Sequence, residues 1–104
     1  MKYGNFTAKD TFNSVGASKL SDVATPITVV GLEIEERPDK EGTLVTTATL
    51  KDNEGTLYGT ISPSAIQQIT ALGQMFEEGM ADATILVVHK KSAQGRDYIQ
   101  LELQ

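Results

Sequence analysis

Short stretches of alternating apolar and polar residues run along the chain from Pro26 to its end. In residues 27–34, β-branched residues dominate, and the apolar Val30, Leu32 and Ile34 occupy every second position, as in a half-buried strand. Gly31 interrupts this pattern and predicts a β-bulge or a sharp coil of the strand. Comparable patterns predict four further strands, at residues 43–51, 56–61, 83–90 and 96–103.

A helix is predicted between the third and fourth strands. Ser62 and Pro63 form a typical helix start, with a serine N-cap followed by a proline in the first turn. Gly79 is placed to end the helix, and Gly73 inside it indicates close packing against a strand. The apolar residues between them are three or four positions apart and form one stripe: Ile66, Ile69, Leu72, Phe76 and Met80.

The first 25 residues show no sustained periodicity of either kind. Tyr3, Phe6 and Phe12 are their only aromatic residues, within a composition rich in Ser, Thr, Ala, Asn and Gly. We interpret this segment as an N-terminal arm that either docks its aromatic residues on the core or stays mobile. The chain is therefore divided into an arm, residues 1–25, and a domain, residues 26–104.

The predicted elements follow the order strand, strand, strand, helix, strand, strand. Five short strands with one helix between the third and fourth is the order of the OB-fold, a five-stranded Greek-key barrel. We therefore predict an all-β OB-fold barrel whose helix plugs one end. The alternative is an α+β fold, an open antiparallel sheet with the helix lying flat across it.

Three segments carry a more specific resemblance: residues 45–52 (VTTATLKD), 55–63 (GTLYGTISP) and 91–103 (KSAQGRDYIQLEL). With them, residues 27–103 resemble small OB-fold single-stranded-DNA-binding proteins of phages or mobile elements. The resemblance implies binding of single-stranded DNA during replication or recombination. The bacterial form of the family ends in an acidic tail, whereas this sequence stops directly after the last predicted strand. Recruitment of repair enzymes through such a tail is therefore not expected.

Composition narrows the possible chemistry. The 104 residues fit one domain, and they include no cysteine and a single histidine, His89. This excludes a disulfide framework, a zinc finger and a thiol nucleophile, and it makes a Ser-His-Asp triad or a histidine metal site hard to assemble. We therefore expect no enzyme activity, no cofactor and no metal site.

Charge is distributed unevenly along the acidic chain, whose formal net charge is −5. Residues 1–82 hold six basic and twelve acidic residues, whereas residues 83–104 hold three basic and two acidic ones. An acidic protein does not attract polyanions as a whole. Individual Lys and Arg side chains still bind phosphates, so a local basic strip is sufficient for contact with nucleic acid.

Strand alternation places the candidate binding residues on an outer face. In an OB-fold, ligands lie across the second and third strands, between the loops that join strands 1–2 and 4–5. Two tyrosines are expected to point outward for base stacking, and four cations are expected near them for phosphate contact. The predicted nucleic-acid-binding residues are Tyr58, Tyr98, Lys51, Lys90, Lys91 and Arg96.

These observations predict a sequence-tolerant single-stranded-DNA-binding protein that protects strands in replication or recombination. The alternative is an OB-type protein–protein adaptor or inhibitor module without nucleic-acid binding, which would suit the acidic surface. We expect a homo-oligomer, in the first place a dimer, formed through Ile27 and Val29 on the outer face of the first strand and through the arm. No apolar segment has the length of a membrane span or the character of a signal peptide, so we expect a cytoplasmic protein without membrane association.

Overall fold

The computed structural model describes residues 1–104, which form a β-rich fold around a strongly curled sheet. Two 3₁₀ turns, at Ser14–Gly16 and Leu20–Asp22, lie in the N-terminal part of the chain. No helix is long and apolar enough to cross a lipid bilayer. In chain order the strands and α-helices are β1 (Lys2–Gly4), α1 (Ala8–Asn13), β2 (Ser18–Lys19), β3 (Ile27–Pro38), β4 (Leu44–Asp52), β5 (Leu57–Thr60), α2 (Pro63–Glu77), β6 (Ala83–Lys91) and β7 (Asp97–Leu103).

The five strands and the helix that the sequence predicts are present, as β3 to β7 and α2. In hydrogen-bonding order the sheet runs β2, β5, β4, β3, β6, β7, and β1 is added to β3. All neighbours are antiparallel except β2 and β5, which are parallel. The sheet curls into half a barrel in which β5 and β7 are not paired. We refer to the gap between these two strands as the open seam.

A β-bulge in β3 reverses the direction of its side chains. The register between β3 and β4 shifts between Val29 and Gly31, which confirms the bulge predicted at this point. Ile27 and Val29 before the bulge and Leu32 after it are all buried in the core. The prediction that Ile27 and Val29 lie on an outer face is therefore wrong, because one extra residue changes the phase of the alternation. These two side chains are unable to form a dimer interface.

Helix α2 buries its apolar stripe in a core that it shares with the sheet. Ser62 is its N-cap residue and Pro63 opens the helix, as predicted, although the Ser62 hydroxyl makes no capping bond. Gly79 follows the helix with a φ of +106° and ends it as predicted. The helical residues in the main cluster of 15 buried side chains are Ala65, Ile69, Leu72 and Phe76.

Side chains of α2 also cover the free edge of β7. The main-chain N–H of Leu101 donates to Gln68 Oε1, and Gln68 Nε2 donates to the Leu101 carbonyl oxygen, both at 2.6 Å. The Ser64 hydroxyl donates to the Ile99 carbonyl oxygen at 3.1 Å. These bonds satisfy main-chain groups for which β7 has no neighbouring strand on this edge.

The N-terminal segment is docked on the sheet. Strand β1 pairs with β3, and the Tyr3 ring covers Gly73, where a Cβ atom would lie 3.0 Å from the ring. This contact explains the glycine inside α2. Phe6 and Leu20 are buried, whereas Phe12 is 79% exposed. Helix α1 lies on the face of β3 and β4 that points away from the core. The boundary between arm and domain at residues 25 and 26 stays a prediction.

Candidate nucleic-acid interface

The open seam between β5 and β7 forms a groove of about 630 Å³. Clefts that bind ligands in proteins are typically about 300–1,000 Å³. The groove is lined by the N-terminal segment (Ser14, Ala17, Ser18, Lys19, Ser21), by β3 and β4 (Arg37, Thr47, Ala48, Thr49), by the end of β5 (Gly59, Thr60, Ile61, Ser62) and by the β6–β7 hairpin (His89, Asp97, Tyr98, Ile99).

Both edges of the open seam have hydrogen-bond partners of their own. On one side, β2 pairs with β5 through Ser18 opposite Tyr58 and Lys19 opposite Gly59. On the other side, Ser64 and Gln68 of α2 bind the main chain of β7. Since main-chain groups on both sides are already paired, β5 and β7 do not need to approach each other. The groove is thus built into the fold.

Hydroxyl side chains are common along the groove. Seven of its 17 lining residues are serine or threonine. A hydroxyl group both donates and accepts hydrogen bonds, so such a surface suits phosphate, sugar and base groups without selecting one of them. The seven residues are Ser14, Ser18, Ser21, Thr47, Thr49, Thr60 and Ser62.

The groove is more basic than the molecule as a whole. Lys19 and Arg37 line it against one acidic residue, Asp97, although the chain has a net charge of −5. The Arg37 guanidinium donates to the Glu35 carboxylate and to the Ser14 hydroxyl, and these contacts fix its position. Lys19 is exposed and forms no ion pair. With Glu35 as the partner of Arg37, the groove lacks the net negative charge of the whole chain, which would repel an anionic ligand.

Tyr98 brings an aromatic ring to the groove. Its neighbours Ile99 and Leu101 are buried, and the ring lies on the opposite face of β7, half-buried, as the alternation predicts. Lys90 is directly opposite Tyr98 on β6. Cross-strand pairs of this kind have their Cβ atoms about 4.5–5.5 Å apart, so this ring and this ammonium group belong to one surface.

Two more of the predicted cations lie on the same hairpin. Lys91 is opposite Asp97, and their exposed side chains form an ion pair at 3.8 Å. Arg96 is exposed directly before β7. The structure therefore brings four of the six predicted residues together at the β6–β7 hairpin, namely Tyr98, Lys90, Lys91 and Arg96. Their contact with nucleic acid stays a prediction.

Tyr58 does not point outward, which corrects the prediction for β5. It is opposite the fully buried Leu50 and packs against the core. Its hydroxyl donates to Asp52 Oδ2 at 3.2 Å, and burial, together with this carboxylate, raises the pKa of Tyr58. Ile61, which alternation would place on the opposite face from Tyr58, is 65% exposed. Tyr58 is thus a packed residue rather than an open stacking surface.

Lys51 is on the outer face of β4 as predicted, but α1 covers it. Its Nζ donates to Asp10 Oδ2 at 2.9 Å, and the two side chains are only 15% and 13% exposed. Burial alone raises the pKa of Asp10, but the Thr7 N–H and Lys51 stabilise the carboxylate and lower that pKa overall. Lys51 therefore already has an anionic partner from its own chain.

Four groove residues with charged or imidazole side chains are not among the predicted binding residues: Lys19, Arg37, His89 and Asp97. Lys19 was missed because residues 1–25 show no periodicity that would place them in the sheet. One signal was present in the sequence, since Leu20 is an isolated large apolar residue in a polar segment, and the structure buries it completely. This anchor brings Lys19 to β5.

Comparisons with protein-family models, with curated protein sequences and with solved structures find no match to this chain.

Proposed function

We propose that the protein binds single-stranded DNA, without strong sequence preference, in the groove along the open seam. The observation that carries this proposal is the position of Tyr98 beside Lys90 at a hydroxyl-rich groove that also holds Lys19 and Arg37. Single strands are bound by stacking of bases on aromatic rings and by cations that contact the backbone. Both kinds of group are present on one surface of an otherwise acidic molecule.

The strand order supports an OB-type barrel as the scaffold. Strands β3, β4 and β5 follow one another in the sheet, α2 comes next in the chain, and β6 returns to pair with β3. The OB-fold is a partly open Greek-key barrel, and its ligands lie across the second and third strands. In this interpretation those strands are β4 and β5, which supply the floor of the groove.

The direct test is the fluorescence anisotropy of a labelled oligo-dT at two salt concentrations. We expect binding that weakens as salt rises, because cations that contact phosphates release counterions. An unlabelled single strand should compete for binding, and a duplex of equal length should not. An RNA oligonucleotide in the same titration measures the preference for DNA. No binding at low salt would refute the proposal and leave the protein–protein module as the function to test.

Tyr98 provides the sharpest variant for this test. Tyr98→Ala should weaken oligo-dT binding by about 1–3 kcal/mol, which is the usual loss for one base–aromatic stack. Tyr98→Phe keeps the ring and should bind within about twofold of the wild type. Equal affinities for the alanine and phenylalanine variants would show that Tyr98 is not a stacking residue.

The cations of the hairpin should give a different signature. Replacing Lys90, Lys91 or Arg96 by alanine should reduce the slope of log affinity against log salt by roughly 0.7 for each phosphate that the variant no longer binds. Lys2→Ala is the matched control, because Lys2 is exposed on β1 and does not line the groove. An unchanged slope in all three hairpin variants would exclude the hairpin as the phosphate-binding surface.

The homodimer remains a proposal, although Ile27 and Val29 are no longer candidates for its interface. One OB-type barrel covers only about 4–16 nucleotides, and pairing extends the site. Light scattering at micromolar concentration should give a mass of twice the 11.2 kDa chain. A mass equal to one chain would contradict the dimer.

A further inference from the structure

Helix α1 lies on the sheet with its polar side inward and its apolar side outward. In α1 itself Asp10 is buried, with 9% exposure, whereas Phe12 is 79% exposed. The 3₁₀ turn that follows repeats this arrangement, with Ser14 buried and Val15 exposed. A surface helix normally buries its apolar side chains. The apolar side chains of this helix therefore gain little from its contact with β3 and β4.

Polar contacts hold α1 in place instead. Lys51 Nζ donates to Asp10 Oδ2 at 2.9 Å, and Thr11 Oγ1 donates to Glu33 Oε2 at 3.0 Å. The other carboxylate oxygen, Glu33 Oε1, is buried without a hydrogen-bond partner. An unpartnered buried polar atom costs free energy that is recovered when water reaches it. The contact between α1 and Glu33 therefore leaves one oxygen of this buried carboxylate without a partner.

The surface beneath α1 continues the groove. Thr47 and Thr49 line the groove on the outer face of β4, and Lys51 is the next residue on that face. Asp10 of α1 lies against Lys51 at the point where the groove stops. A carboxylate and a phosphate present similar anionic oxygens to a lysine, so either of them is a suitable partner.

We propose that α1 is a displaceable cover: single-stranded DNA in the groove replaces Asp10 at Lys51 and separates α1 from β4. This inference rests on the function proposed above and concerns the regulation of the same site. Lys51 exchanges one anionic partner for another, so the exchange leaves no buried cation without a partner. The open form has a longer binding surface on β4 than the covered one.

Hydrogen exchange of the wild-type protein gives the first readout. In the free protein the Thr11 N–H donates to the Thr7 carbonyl oxygen within α1. Saturation with oligo-dT should accelerate amide exchange across residues 8–14 and leave the amides of α2 unchanged. Unchanged or slower exchange in α1 upon binding would overturn the cover.

The second readout is the affinity of a variant that lacks the competing carboxylate. Asp10→Asn should bind oligo-dT roughly two- to tenfold more tightly than the wild type, because Lys51 is then free for phosphate. Asp82→Asn is the matched control, since it makes the same change in net charge at an exposed residue that does not line the groove. The gain in affinity for oligo-dT should be absent from Asp82→Asn. It should also be absent from the double variant that combines Asp10→Asn with Lys51→Ala.

The two readouts separate failure of the cover from failure of the proposed function. If the wild type binds oligo-dT but exchange in α1 does not accelerate, or Asp10→Asn binds no more tightly than Asp82→Asn, the cover is refuted and the function stands. If neither the wild type nor Asp10→Asn binds oligo-dT at low salt, the function is refuted and the cover with it.

Discussion

Gln68 pairs with the main chain of Leu101 in the way that a neighbouring strand would. One side chain of α2 supplies both a donor and an acceptor, each at 2.6 Å, to a single residue of β7. This arrangement joins the helix to the sheet at the point where β7 lacks a strand partner.

Gln68→Ala should therefore lower the free energy of unfolding by about 2–3 kcal/mol, because the two main-chain groups of the buried Leu101 lose their partners. Gln67→Ala is the control, since Gln67 is exposed on the same helix and should change stability by less than about 0.5 kcal/mol. Urea denaturation of both variants measures the difference. Equal stabilities would mean that water replaces the Gln68 amide without cost.

Gly31 permits β1 to approach β3, and this gives a second prediction. A Cβ atom at Gly31 would lie 2.5 Å from the main-chain oxygen of Asn5, which is closer than any real contact. Gly31→Ala should destabilise the protein by about 2 kcal/mol or more, since main chain rather than a flexible side chain must move. At Gly16 nothing lies within 4 Å, so Gly16→Ala should be neutral or stabilising by up to about 1 kcal/mol. Thermal unfolding that ranks the two variants in the opposite order would contradict this account.

The Asp10 carboxylate predicts how stability depends on pH. Its pKa in the folded protein lies below the ordinary value of 3.8, so its contribution is fully present above that value. The contribution is lost as the pH falls through the lowered folded-state pKa. The difference in unfolding free energy between the wild type and Asp10→Asn should therefore be constant near neutral pH and shrink below about pH 4. If the difference in unfolding free energy between the two proteins stayed constant in acid, the pKa of Asp10 would be the same in the folded and unfolded states.

The pKa of the Tyr58 hydroxyl should be higher than that of an unperturbed tyrosine. Burial and the Asp52 carboxylate both disfavour its ionised form and raise the pKa of Tyr58 above 10.0. A spectrophotometric titration should show one tyrosine that ionises at higher pH, and Tyr58→Phe should remove that step. The same variant loses the hydrogen bond to Asp52 and should be less stable by about 0.5–1.5 kcal/mol. Its affinity for oligo-dT should stay unchanged, in contrast to Tyr98→Ala.

The local sequence patterns of residues 26–104 were sufficient to predict the order of strands and helix. They were not sufficient to predict which side chains on every strand point toward the core. Alternation correctly predicted that the Tyr98 side chain points away from the core, because Ile99 and Leu101 form an unambiguous apolar face on the other side of β7. On β5 both faces carry a large side chain, Leu57 and Tyr58, so the direction depends on pairing with Leu50. That pairing is a tertiary contact and leaves no local signal.

The N-terminal segment escaped prediction for a related reason. Its elements are very short and depend on contacts with distant residues, such as β1 on β3 and Asp10 on Lys51. Helix α1 has Phe12 exposed and Asp10 buried, which is the reverse of what an amphipathic pattern predicts. A prediction based on burying apolar residues would therefore not place α1 on β3 and β4 with its polar side toward the sheet.

The parallel pairing of β2 with β5 has a consequence for the order of folding. It joins Ser18 to Tyr58, so the chain must close a long loop before these strands meet. The β3–β4–β5 meander and the β6–β7 hairpin form from neighbouring segments and do not wait for this closure. We therefore expect Asp10→Asn to accelerate unfolding and to leave the refolding rate unchanged, which stopped-flow kinetics would measure. The segment that precedes the meander in the chain is then among the last to reach its native position.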